Sequence, residues 1–228
     1  MRLERELQAV RQRCRLLMIM SALERTGIAP ISMNKLHAFA YLSDVLSPVW
    51  GFLPYDGTVL KIEEGPHYSE LQAEIDALVI LGLINVLDLT YRMTGDAGAR
   101  IDGWYELRFE SEHLPGILDK LGADPASDPL DPRDTLRNKY LLELAAAMAA
   151  LPDDEIDKAA QFDATYADPS LGYSNVVHLD RGSAHRLPNR SIEITERFEN
   201  FLPDEAGLSP GEKVYLYASY LGEKINAG

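Results

Sequence analysis

A single cysteine, Cys14, occurs in 228 residues, so the chain has no internal disulfide and no cysteine-rich metal framework, and a reducing cytoplasm is expected. Positive charge is also scarce. Against 22 Lys and Arg stand 36 Asp and Glu, for a net charge of −14. That field repels nucleic acid and anionic membrane, so any DNA contact must be local or made through a partner. No long hydrophobic run is present. The apolar stretch Leu16–Ala22 follows Arg11, Arg13 and Arg15 as a signal peptide would, but Leu23-Glu24-Arg25 continues a charged helix where a cleavage site would stand. It is also far shorter than the roughly 20 residues that span a bilayer. A buried helix and no membrane association are expected.

Catalytic signatures are missing too. The chain has no phosphate-binding G-x-x-x-x-G-K-[ST] loop, no G-x-G-x-x-G after a strand and no G-x-S-x-G elbow. Five histidines occur, and His178-Leu179-Asp180 with His185 imitates a metal site only loosely, without helical His spacing. Asp153-Asp154-Glu155 reads as cap and dipole chemistry at a helix start. Cys14 lies on an apolar stripe as a structural thiol. These absences argue against an enzyme and leave no cofactor or metal to expect.

What is present is a clear order of elements. Leu3, Leu7, Val10, Cys14 and Leu17 alternate in steps of four and three, predicting a helix from Leu3 to Arg25 with a stop at Gly27. Its first half carries Arg2, Arg5, Arg11, Arg13 and Arg15, diluted by Glu4 and Glu6, which reads as a solvated face or as a phosphate-binding arm. Ser32 caps a second helix, Met33 to Leu46, that ends before Pro48. A turn-rich insertion from Trp50 to Gly65 contains Phe52 and Tyr55 and a strand-like Val59, Lys61 and Ile62, and is expected as a short hairpin or an irregular loop. A third helix begins at Ser69, where Ser69-Glu70-Leu71-Gln72 has the form of a capping box. Alternating segments 83–91 and 104–109 flank the loop Thr94–Arg100 as the strands and tip of a wing.

Helix, helix, helix, hairpin is the order of a winged helix-turn-helix. The fold class expected is mainly α (α+β): an N-terminal winged helix-turn-helix with a β-hairpin wing, then an acidic helical C-terminal region. The Pro/Asp-rich stretch 124–132 marks the boundary, giving a winged-helix domain at 1–123, a linker at 124–132 and a helical domain at 133–228. Helices are expected at 133–151, 153–167, 191–201 and 210–225, with Val176–Leu179 extended. Residues 1–110 hold 11 bases and 15 acids, net −4, whereas 111–228 hold 11 and 21, net −10. The acidic half suits a basic protein surface better than nucleic acid.

A DNA-reading third helix places Arg, Lys, Asn or Gln at base edges. Here that helix offers Glu70, Gln72, Glu74 and Asp76 and no base, which opposes docking on phosphates. Arg5, Arg11, Arg92 and Arg100 remain as candidate phosphate contacts. Phe52, Tyr55, Asp163, Tyr166, Asp168 and Tyr173 are candidate partner contacts, because exposed aromatics beside carboxylates make interface hot spots. An alternative reading packs Tyr166 on the neighbouring helix with the acids in solvent.

The segments Leu16–Leu23, Lys35-Leu36 with Tyr41-Leu42, Gly65-Pro66-His67-Tyr68 through Leu71, and Leu81-Gly82-Leu83-Ile84 resemble the middle component of bacterial ABC-three-component, Lamassu-like anti-phage systems. Asp163-x-x-Tyr166-x-Asp168, Gly207-Leu208-Ser209 and Leu216-Tyr217-x-x-Tyr220-Leu221 fit the same family. A looser similarity to Panacea antitoxin-like domains rests on the Lys-Leu, Tyr-Leu and Gly-Pro-x-Tyr elements. The resemblance implies a non-enzymatic adaptor that links an SMC-like ABC ATPase to an effector nuclease, with DNA engaged mainly through the complex. Alternatives are a winged-helix transcriptional regulator and an antitoxin-like protein covering a toxin's basic site.

Overall fold

The computed structural model describes residues 2–94, 98–124, 126–179, 188–201 and 207–227, and the side chains of these except 2, 91–94 and 98–102. The chain is a mixed α and β protein in which helix predominates. It divides into two compact units, one built from 1–33 and 70–142, the other from 34–69 and 143–228. This division differs from the expected boundary at 124–132. Residues 124–132 lie inside the first unit, and the segment expected to form a single N-terminal module contributes to both.

In the first unit α1 (Arg2–Thr26) buries Leu16, Ile19, Met20 and Leu23. It stops where Gly27 takes φ +75° and donates its N–H to Glu24 O, the left-handed conformation that ends a helix without a β-carbon penalty. α3 (Leu71–Ile80) turns Leu71, Ile75 and Leu78 inward at helical spacing and packs on α1. The capping box expected at Ser69 does not form. Glu70 is the N-cap residue, its φ of −90° and ψ of −15° are already helical, and no side chain caps the helix. Gln72 instead donates to Asp76 Oδ1 at 2.8 Å.

Three antiparallel strands accompany these helices in the order β1-β5-β4, namely β1 (Ile31–Ser32), β4 (Ile84–Thr94) and β5 (Gly98–Leu107). The two long strands are the expected hairpin, extended by several residues. A bulge interrupts it: Leu87 pairs with Trp104 and Thr90 with Asp102, so Asp88 and Leu89 together face Gly103. Asp88 adopts φ +48° there, and the extra residue sharpens the twist of the ribbon. A short helix, α4 (Leu114–Lys120), has Pro115 in its first turn, where a missing N–H costs nothing. α5 (Pro132–Met148) supplies its first eleven residues to this unit and the rest to the other.

In the second unit a three-stranded sheet runs β3-β2-β6, from β2 (Thr58–Ile62), β3 (Gly65–His67) and β6 (Val176–His178). Of the two readings of the insertion, hairpin or irregular loop, the hairpin is the one formed: β2 pairs with β3, and its other edge pairs with β6, where buried Val59 faces buried Val177 across the ladder. The helices are α2 (Met33–Val45, of which all but Met33 belong here), α6 (Ile156–Phe162), α7 (Arg190–Arg197) and α8 (Pro210–Ala227). Residues 153–155 form a single 3-10 turn leading into α6, so the acidic triplet does stand at a helix start. The expected helix 153–167 ends at Phe162, because Asp163 turns extended at ψ 136°. Asn189 caps α7 by accepting from Ile192 N at 3.1 Å.

Candidate functional site

In the first unit the surface of α3 is the feature with the clearest chemistry. Glu70, Ala73, Asp76 and Ile80 are exposed, Ile80 at 85% and the following Leu81 at 56%. Glu74 is drawn to α1 by Arg13, whose Nε lies 2.6 Å from Oε2. The outer face of this helix therefore combines carboxylates with large apolar side chains and carries no base.

Arg5 and Arg11 are solvent-exposed on α1, Arg13 is held by Glu74, and Arg15 is buried at 4% exposure. The basic arm expected from sequence is consequently reduced at its body end. Arg92 and Arg100 pair across the hairpin through their backbones, but their side chains lie outside the described residues. Cys14 is half-buried, and burial, then the charge of Asp134, pushes its thiol up, which disfavours a nucleophilic thiolate. A groove of about 400 Å³ lies between α1 and α4. Arg25 spans part of it by donating to Ala123 O at 2.7 Å, and Glu24 accepts from Leu107 N at 2.8 Å.

In the second unit the proposed partner contacts separate into two groups. Tyr55 and Tyr173 are exposed and Phe52 is half-exposed, whereas Asp163, Tyr166 and Asp168 are buried at 0, 2 and 2% exposure. The last three are therefore corrected from surface contacts to interior residues. Asp163 accepts from Tyr41 OH at 2.5 Å, Tyr217 OH at 2.7 Å, Ser191 Oγ at 2.6 Å, and the N–H groups of Thr165 and Tyr166 at 3.0 Å each. Five donors and no acceptor surround the carboxylate, which ties α2, α7 and α8 to the end of α6. Burial first, and then the charge of Asp163, push the Tyr41 and Tyr217 hydroxyls well above the usual phenol range.

Asp168 closes a local turn by accepting from the Ser170 hydroxyl and N–H, which hold it below the usual carboxylate range, and Arg190 Nε lies 2.7 Å from its Oδ2. Tyr166 donates to Ile62 O at 2.8 Å. Its ring, with that of Tyr173, flanks the Lys61 ammonium, which donates to Tyr166 O at 2.5 Å and is pushed down by burial. Tyr166 is packed inside, but Asp163 and Asp168 are buried with it, so the alternative that left the acids in solvent is corrected as well.

No known family model, curated protein or solved structure matches this chain.

The remaining candidates are structural in their surroundings. His37 accepts from Tyr68 N at 3.2 Å, with the ring of His67 4.8 Å away, and Tyr68 donates to Asp44 at 2.8 Å. Lys35 pairs with Asp153 at 2.6 Å and Lys158 with Asp154 at 3.4 Å. Asp180 and His185 lie outside the described residues. Among the described residues no group of three or more His, Cys, Asp or Glu could hold a metal ion, and no helix is long and apolar enough to cross a membrane. A groove of about 440 Å³ is lined by Pro48, Phe52, Leu53, Pro54 and Ile192. It is the setting of Phe52. The Asp163 cluster has no signal in the sequence beyond an acid one turn before a tyrosine, because its other donors come from distant segments.

Proposed function

We propose that the chain is a non-enzymatic adaptor of a bacterial anti-phage complex, joining an SMC-like ABC ATPase to an effector nuclease through protein contacts. Three helices followed by the β4–β5 hairpin come in winged-helix order along the chain, with β2 and β3 inserted between α2 and α3 and with α2 belonging to the second unit. That order, and the acidic half beyond it, support the reading. The observation that carries the docking role is the outer face of α3: Ile80 and Leu81 stand exposed beside Glu70 and Asp76 with no base among them. Phosphates repel such a face, while a protein surface with an apolar pocket and a basic rim complements it.

The alternative, direct DNA binding by Arg5 and Arg11 at the exposed end of α1, is separated from this by salt dependence. Fluorescence anisotropy of the full chain with a duplex is expected to show weak binding with a shallow slope between roughly 50 and 200 mM salt. Tight binding that falls by about 10³-fold over that range would overturn the adaptor reading. Reconstitution with the ATPase and effector of the same operon supplies the positive arm. Ile80→Lys and Glu70→Lys are expected to weaken complex formation by about tenfold or more, in line with loss of an apolar anchor, while leaving the melting temperature of the free chain unchanged. A complex indifferent to both substitutions removes α3 as the docking face.

A further inference from the structure

We propose that the exposed end of α1 pairs antiparallel with the same segment of a second copy of this chain. Leu3, Leu7 and Val10 are 77, 49 and 50% exposed although they continue the four-three spacing that leads to Cys14 and the buried Leu17. In heptad terms they occupy the two seam positions, and the first turns of α1 hold them together on one stripe. Further along, the helix enters the body of the protein: Gln12, Arg15 and Leu16, on the opposite side, are buried, and Cys14, on the stripe itself, is half-buried. The stripe therefore faces solvent over Leu3, Leu7 and Val10, where the first turns stand clear of the body, and meets the body of the protein at Cys14.

Charge identifies the occupant. The positions flanking the seam are Glu4 and Glu6 in the first turns and Arg11 and Arg13 two turns later. Turned end for end on a copy of itself, this pattern places each Glu4 opposite the copy's Arg11 and each Glu6 opposite its Arg13, while Leu7 packs against Val10 and Leu3 against Cys14. The segment is thus self-complementary in the antiparallel sense. In the parallel sense only Glu6 meets Arg11. Glu4 and Glu6 already engage groups of their own chain, and Arg13 holds Glu74, so the cross-seam pairs set orientation more than strength. Two heptads fall short of the three to four, and of the roughly 1,200 Å² of buried surface, that a stable free-standing association needs. The dimer is therefore expected to be weak, with Kd on the order of 0.1 mM.

Sedimentation equilibrium of the full chain from about 10 µM to 1 mM, a range that brackets that Kd, tests this. Wild type is expected to pass from monomer to dimer, and Leu7→Glu, at an exposed position that leaves the melting temperature unchanged, is expected to remain monomeric. Glu4→Arg and Arg11→Glu are each expected to weaken association by about tenfold, since like charges then meet across the seam. An equimolar mixture of the two variants is expected to recover wild-type affinity, because the base introduced at position 4 of one chain then meets the acid introduced at position 11 of the other. A monomer at all concentrations overturns the proposal, as does a dimer insensitive to Leu7→Glu. Association unaffected by Glu4→Arg, or a mixture no tighter than its components, overturns the antiparallel arrangement.

Discussion

Removing the Asp163 carboxylate is expected to unfold the second unit more effectively than any other single polar substitution there. Its five donors behave differently when the acceptor goes. The N–H groups of Thr165 and Tyr166 cannot turn elsewhere, and Tyr41 OH is fully buried. Ser191 and Tyr217 have other partners: Ser191 Oγ lies 2.7 Å from Thr165 Oγ1, and Tyr217 OH accepts from Ala164 N at 3.2 Å. Asp163→Asn keeps one carbonyl oxygen for the first three donors and turns an amide toward the two that can rearrange. Its expected cost is about 2 kcal/mol, near one charge-assisted hydrogen bond. Asp163→Ala strands the two N–H groups and the Tyr41 hydroxyl outright, and its expected cost is about 4 kcal/mol, in the range found when a buried polar network is broken. Tyr41→Phe, which removes a donor and leaves the acceptor satisfied by backbone, is expected to cost about 1–2 kcal/mol. The assay is urea denaturation followed by tryptophan fluorescence. The two tryptophans, Trp50 and Trp104, fall one in each unit, so a Trp104→Phe background reads the second unit alone. A loss below about 1 kcal/mol for Asp163→Ala, or Asn costing as much as Ala, would refute the reasoning.

Two further outcomes follow from the same unit. Tyr41, Tyr166 and Tyr217 are buried and all three hydroxyls are pushed above the usual phenol range. The unfolded chain releases these protons first, so their contribution is intact below about pH 10 and is lost as pH rises past it toward the folded values. Stability is expected to fall by up to about 4 kcal/mol per pH unit above pH 10 for the three together, and Tyr217→Phe is expected to remove about a third of that slope in denaturant titrations run from about pH 9 to 11. Gly211, at the start of α8, has the Glu143 carboxylate where a β-carbon would stand. Gly211→Ala is expected to swing the flexible Glu143 carboxylate aside at a cost of about 0.5–1 kcal/mol, and Glu143→Ala in the same chain to remove that cost, a coupling that a double-mutant cycle measures.

The elements that repeat locally were legible from the sequence. α1 follows from its four-three spacing, and the hairpin β4–β5 from alternation around a Gly-rich tip, because both patterns are complete within a few turns of chain. The bounds of α4 were not, since seven residues beginning Leu114-Pro115-Gly116 are too few to show a helical period, and Pro115 occupies the first turn. The capping box at Ser69 failed because the backbone at Glu70 is already helical, which a residue pattern does not report. The interior position of Asp163 was hidden for a different reason. Its neighbours in sequence, Phe162 and Ala164, give no sign of its partners, while Tyr41, Ser191 and Tyr217, which make its burial tolerable, are supplied from 122 residues before it and from 28 and 54 residues after it. The surface acids of α3 were legible because they need only lie off the apolar stripe.

The interleaving of the two units bears on how the chain is made. β2 leaves the ribosome soon after α2 and finds β3 at once, but its other edge waits for β6, more than a hundred residues later. At about 5–20 residues per second that interval is on the order of 6–25 s. Throughout it, one edge of β2 and the hydroxyl of Tyr41 lack the strand and the acid that later complete them. Nascent chains halted after residue 142 should therefore contain everything the first unit needs, yet still carry residues 34–69 as a half-built passenger open to chaperones.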